Sequence, residues 1–140
     1  MTSFEATYKN LSKEVYKFEF GTFYFFEHIV VSEINEGVTL VFDNTKDLIQ
    51  LINDTYQGRP FGYLSNRVNS YSVDPTGYYK VEEQFPNMAG FAVVYYSPFM
   101  QGTLKIEKLF LNAPFQGFDE LNKAFDWLEY LVKSKHLDIA

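Results

Sequence analysis

Cysteine is absent from the chain, which excludes disulfides, thiolate zinc sites, iron–sulfur clusters and thiol catalysis. Histidine is scarce: His28 and His136 are the only two, and they lie too far apart in sequence for a zinc-binding spacing. Glycine-rich signatures are missing as well. No G-x-G-x-x-G, G-x-x-x-x-G-K-[ST] or G-x-S-x-G segment occurs, so the sequence carries no motif for a nucleotide cofactor or an activated serine. Basic residues are outnumbered, 12 against 18 acidic, for a net charge of -6. Such a field repels a phosphate backbone, which argues against nucleic acid as a partner. No apolar run approaches the roughly 20 residues of a membrane span. The opening "MTSFEATYKN" lacks the basic start and apolar core of a secretory signal. These absences read as a cytoplasmic, non-enzymatic protein with no cofactor or metal.

What the chain has in excess is aromatic residues, 15 Phe and 11 Tyr in 140 positions. That length suits a single domain, residues 1–140, with the first dozen peripheral. "EVYKFEF" (Glu14 to Phe20) alternates as a half-buried strand, Gly21-Thr22 reads as a turn, and Phe23 to Ile34 reads as one long inner strand. Together they predict an antiparallel hairpin. After the break at Asn35-Glu36-Gly37, Val38 to Phe42 is a short extended segment. A helix capped by Asp43 or Asn44 follows, with Leu48, Ile49, Leu51, Ile52 and Tyr56 on one stripe, and ends at Gly58 and Pro60. Phe61 to Ser65 reads as a strand, Pro75 to Phe85 as a helix, and Gly90 to Tyr96 as a strand. Pro98 to Leu111 reads as a weakly patterned helix. Ala113 to Phe118 suits an edge strand, because Pro114 forbids a central one. The closing helix, capped by Asp119, lines up Leu121, Ala124, Phe125, Leu128, Leu131 and Val132. Strands alternating with about four helices predict an α/β sandwich with a mostly parallel sheet and an N-terminal antiparallel hairpin.

Four segments carry a family likeness: "FDNTKDL" after the hairpin, the helix start "DPTG" (Asp74 to Gly77), "FAVVYYSP" and the closing "FDELNKAFDWL". In this order and spacing, over about residues 14 to 135, the chain resembles the STAS domain superfamily, specifically its small bacterial SpoIIAA-like branch of anti-sigma factor antagonists. In those antagonists a D-S-S-G segment begins a helix, a partner kinase phosphorylates the second serine, and the surrounding surface binds that kinase. The resemblance places Asp74 at the cap, Thr76 at the phosphorylatable position and Gly77 at the glycine. Pro75 replaces the first serine, and bulky Tyr78 and Tyr79 follow the glycine.

The stretch "SNRVNSYSVDPTGYY" (Ser65 to Tyr79) is therefore the leading site, as a surface for a protein partner, either a regulatory kinase or a second copy in a homodimer. Its candidate binding residues are Asn66, Arg67, Asn69, Ser70, Tyr71, Ser72, Asp74, Tyr78 and Tyr79, with Thr76 as the modifiable hydroxyl. They follow a strand's carboxyl end, where open α/β sheets place ligands. The plainer alternative is a self-bonded polar loop in which Arg67 pairs with Glu33 or Glu36, followed by an Asp74-capped, proline-started helix. His28 beside Glu27 has no nucleophile to activate, and Glu33 with Glu36 reads as solvated turn charge. A second functional option is an aromatic-lined groove for a small or lipid-like molecule, built from Tyr78, Tyr79, Phe85, Tyr95, Tyr96, Phe99 and Met100. Core packing of those rings is its ordinary counterpart.

Overall fold

The computed structural model describes residues 8–139. Six strands form one sheet in the order β1-β2-β3-β5-β7-β8: β1 (Glu14–Phe18), β2 (Gly21–Phe25), β3 (Ile29–Ile34), β5 (Phe61–Asn66), β7 (Met88–Val94) and β8 (Phe115–Phe118). The β1/β2 and β2/β3 pairs are antiparallel, and the three pairs beyond β3 are parallel. Four α-helices connect or cover the strands: α1 (Lys46–Tyr56), α2 (Tyr78–Gln84), α3 (Pro98–Lys108) and α4 (Leu121–Ile139). This is the mixed α/β sandwich with a mostly parallel sheet that the alternation predicts.

Period-2 alternation sorts the inner strands onto two cores. Val30, Ile34, Phe61, Phe91 and Val93 point to the face that also holds Leu48, Ile52 and Leu104 from α1 and α3. Ile29, Val31, Leu64, Ala92 and Val94 point the other way, onto Leu121, Ala124 and Leu128 of α4. Tyr8, in a short 3-10 turn (Tyr8–Leu11), is buried in that second core, so this part of the segment expected to be peripheral is packed against the body. Residues 1–7, the rest of the expected peripheral segment, lie outside the described residues.

The opening differs in register from the sequence reading. The first turn falls at Glu19-Phe20, Gly21 belongs to β2, and the expected long strand is two strands, broken where Phe26 N donates to Ile29 O at 2.8 Å. A run that is apolar on both faces cannot reveal a reversal inside it, and only the polar pair Glu27-His28 marks the break. Gly21 is needed where it stands, since a Cβ there would lie 2.8 Å from Glu33 O.

Two short strands, β4 (Thr39–Leu40) and β6 (Ser72–Val73), pair in parallel as a separate small sheet. The sequence placed β6 in a polar loop, because two residues are too few to show a period. Both the α1 and α2 helices are entered through 3-10 turns, Phe42–Thr45 and Pro75–Gly77. Helix α3 is capped by Ser97, whose Oγ accepts from Met100 N at 3.3 Å, and it ends at Lys108 rather than Leu111. Strand β8 is the sheet edge that Pro114 requires.

Two glycines test how tightly this packing is set. A Cβ on Gly62 would lie 2.9 Å from Leu128 Cδ2 and 3.0 Å from Leu128 Cβ, whereas one on Gly102, within α3, would meet nothing inside 4 Å. In urea unfolding, Gly62→Ala is expected to lower stability by about 1–3 kcal/mol. Gly102→Ala is expected to raise it by about 0.5–1 kcal/mol, the ordinary gain of alanine over glycine in an open helix.

Candidate functional site

The carboxyl end of β5 sends consecutive side chains to opposite faces. Asn66 turns toward the α4 side, where Nδ2 donates to Tyr8 Oη at 3.3 Å and to Glu33 Oε2 at 3.2 Å, and Oδ1 accepts from Tyr96 Oη at 2.6 Å. Tyr8 Oη donates to the same Glu33 carboxylate, and Lys9 Nζ lies 3.1 Å from its other oxygen. Burial, then the Glu33 hydrogen bond and charge, push the Tyr8 phenol far above its usual range.

Arg67 turns the other way and is buried. Its Nη1 and Nη2 donate to Glu107 Oε2 and Oε1 at 2.7 and 2.6 Å, a fork-to-fork pair. Nε donates to Ser65 Oγ at 3.1 Å, and the guanidinium lies 5.6 Å from the centre of the Tyr71 ring. Glu107 also accepts from Tyr78 Oη at 2.6 Å and Thr103 Oγ1 at 3.3 Å. One buried carboxylate thus joins the end of β5, the first turn of α2 and the inner side of α3. Burial alone would raise the Glu107 pKa, but the Arg67 hydrogen bonds and charge, with the Tyr78 and Thr103 hydroxyls, hold it below its usual range. Burial likewise drives the Tyr78 phenol upward, with the Glu107 charge adding to it.

The sequence placed the partner of Arg67 at Glu33 or Glu36. The structure assigns both elsewhere, Glu33 to Tyr8, Lys9 and Asn66, and Glu36 to Ser70 N at 2.7 Å. The signal for Glu107 was present but weak: it is one helical turn from Leu104, on the side of α3 that must face inward. The rest of the loop is also bonded to the body. Asn69 Nδ2 donates to Ile34 O at 3.0 Å, Tyr71 Oη lies 2.8 Å from Ser65 Oγ, and Ser72 N donates to Val38 O at 2.9 Å. Asp74 Oδ1 accepts from Thr76 N at 3.1 Å and from Thr76 Oγ1 at 2.6 Å, which holds the exposed Asp74 carboxyl below its usual pKa. Asn66, Arg67 and Tyr78 are therefore internal. Ser70, Ser72, Asp74, Thr76 and Tyr79 form the outward surface.

Beneath this surface is a cavity of about 90 Å³ between the sheet, α1 and α2. Leu48, Ile49, Ile52, Tyr63 and Phe91 supply apolar walls, and Ser65, Arg67 and Tyr71 close one end. It is not the aromatic groove read from the sequence. Tyr78 and Phe85 line it, but Tyr79, Tyr95, Tyr96, Phe99 and Met100 do not, and Phe99 faces solvent. Helix α2 spans only seven residues, so it turns few rings inward. His28 sits at the opposite end of the sheet, beside a broad hollow also lined by Arg59, Lys133 and His136. Among the described residues no three His, Asp or Glu side chains gather to hold a metal ion, and no helix is long and apolar enough to cross a membrane.

Removing one member of a buried ion pair strands the other. Arg67→Met is expected to cost about 3–5 kcal/mol in urea unfolding at pH 7. With its folded pKa depressed, Glu107 contributes fully above the ordinary glutamate value of about 4.3, and the contribution is lost as pH falls through the folded value. The gap between wild type and Arg67→Met should therefore narrow below about pH 4, as Glu107 becomes neutral in both. A gap that stays constant down to pH 2 would show that the ion pair is not its source.

Neither a protein-family model nor a curated protein sequence matches the chain. Among solved structures it is similar to an uncharacterised protein of the DUF3478 family from Shewanella loihica PV-4, described as having a SpoIIAA-like fold. The TM-score is 0.54 at 11% identity, over 82% of this chain and 90% of that one. The element order, the parallel sheet with its antiparallel opening and this similarity agree: the chain has a SpoIIAA-like fold.

Proposed function

We propose that the chain is a non-enzymatic, STAS-like regulatory module that acts by contact with another protein, using the turn from Ser70 to Tyr79. One observation carries this reading. The Thr76 hydroxyl is exposed on a turn whose other side is anchored by the buried Tyr78–Glu107–Arg67 network. A partner thus meets a preorganised surface, with little ordering left to do on binding. A phosphate on Thr76 would add about -1.5 to -2 charges next to Asp74 and break the Asp74–Thr76 hydrogen bonds, loosening the helix start. That is a local change a partner can read.

The test places a photo-crosslinking residue at Tyr79, or at Lys17 on β1 as control, in cells of the source organism. A discrete adduct from position 79 and none from 17, weakened by Thr76→Glu but not by Thr76→Val, is the expected result. Adducts from neither position, or equally from both, would count against the reading.

The cavity favours a second reading, carriage of a small non-polar molecule. Dry apolar cavities of about 150 Å³ take up benzene, so a hollow of about 90 Å³ suits a smaller occupant or one that displaces α2. Xenon is a suitable probe. It should shift the methyl resonances of Ile49 and Ile52 in wild type, and Ile49→Phe, which fills the hollow, should abolish the response. Unmoved methyls in wild type would remove this reading.

A further inference from the structure

The hollow beside His28 measures about 560 Å³, within the range of small-molecule sites. Three separate parts of the chain meet at it. The turn between β2 and β3 brings His28, the segment after α1 brings Arg59, and the carboxyl-terminal part of α4 brings Lys133 and His136. Pro60, Val132 and Leu137 supply apolar surface, and among the described residues no Asp or Glu lines it. The chain has 18 acidic and 12 basic residues, so a lining of two cations and two imidazoles without a carboxylate is a local reversal of sign.

Among the described residues, none of His28, Arg59, Lys133 and His136 has a carboxylate partner. Arg59 is nonetheless held in place. Its Nε donates to Tyr56 O and its Nη2 to Thr55 O, both at 3.1 Å, and its own carbonyl accepts from Asn87 Nδ2 at 2.8 Å. Those bonds leave Nη1 without a partner among the described residues, ready to donate. The backbone at His28 is fixed through its carbonyl, which accepts from Gly62 N at 2.8 Å. Even a neutral imidazole has one N–H to offer. Basic residues often serve only the carboxyl end of a helix, an effect confined to the last turn. That accounts for Arg59 and His136. It does not account for Lys133, which stands more than a turn before α4 ends at Ile139, nor for His28, which is on no helix.

The donor set selects the anion. A carboxylate is planar, and one guanidinium fork satisfies it. Donors brought by three parts of the chain suit a tetrahedral group with several charged oxygens, with the Lys133 ammonium as a point charge beside the Arg59 fork. The apolar surface next to them suits a substituent carried on that group. We propose that this hollow binds a phosphate monoester bearing an apolar substituent. The site is separate from the Thr76 turn and from the small cavity between the sheet, α1 and α2, and the proposal rests on neither reading.

Phenyl phosphate is the probe, followed through amide NMR resonances at neutral pH. It should shift the amides of His28, Arg59, Lys133 and His136 saturably, with a Kd of about 1 mM or less, and leave Ser70 to Tyr79 unmoved. Inorganic phosphate, which lacks the ring, and benzoate, which lacks the tetrahedral group, should each bind at least about tenfold more weakly. Lys133→Gln, at an exposed position, should weaken phenyl phosphate about tenfold with unchanged circular dichroism. Lys46→Gln, which removes the same charge at the other end of α1, should change nothing. No saturable shift up to about 20 mM, benzoate binding as tightly as phenyl phosphate, or equal effects of the two lysine variants overturns the proposal. Vesicles containing phosphatidic acid distinguish where the phosphate comes from. Co-sedimentation of wild type but not of Lys133→Gln assigns it to a lipid headgroup, and no co-sedimentation assigns it to a soluble ester; the site stands in both cases.

Discussion

Arg67 and Glu107 lie 40 positions apart and are both buried, and neither can be held inside the protein without the other. Their fork-to-fork contact therefore sets where several pieces of the molecule can go. It fixes the chain as it leaves β5, brings the first turn of α2 in through the Tyr78 hydroxyl, and orients α3 so that Leu104 and Glu107 face inward. An apolar contact at the same place would tolerate sliding or rotation by a residue. A bidentate bond with a third hydroxyl donor does not, and such directionality is what polar networks add to a core.

The orientation of α3 has two results on opposite sides of the helix. Inward, it sets Glu107 against Arg67 and Tyr78, both of which line the small apolar cavity between the sheet, α1 and α2. Outward, it leaves Phe99, Ile106 and Leu109 in solvent, because a helix rotated to bury Glu107 cannot also bury them. The Thr76 turn and the α3 face are consequently joined through Tyr78, Glu107 and Arg67.

Most of the aromatic excess has a structural destination. Tyr56 and Phe61 stack in parallel with centroids 4.8 Å apart, Phe91 lies between Tyr63 and Phe115, and Phe18, Phe20, Phe23 and Phe25 with Tyr16 thicken the hairpin end of the sheet. The rings gathered in the second half of the sequence do not form one wall. They are divided among the cavity, the two cores and solvent according to the element each sits on.

The local features were legible. Alternation marked β1, short apolar runs marked β5 and β7, the 3.6-residue stripe marked α1 and α4, Ser97-Pro98 and Asp74-Pro75 marked helix starts, and Pro114 marked the edge strand. Each rests on residues within one or two turns of one another, where geometry follows from spacing alone. Three things were not legible: the reversal at Glu27-His28, the two-residue strand β6, and the pairing of Arg67 with Glu107. The first hides inside a run that is apolar on both faces, and the second is too short to show a period. The third depends on which of several carboxylates the packing of α3 brings to β5. By itself the sequence determined most of the elements, their order and the SpoIIAA-like architecture they build. Only the tertiary structure decided which residues of "SNRVNSYSVDPTGYY" face inward and which outward, because a side chain's direction is set by its distant partner and not by its neighbours in sequence.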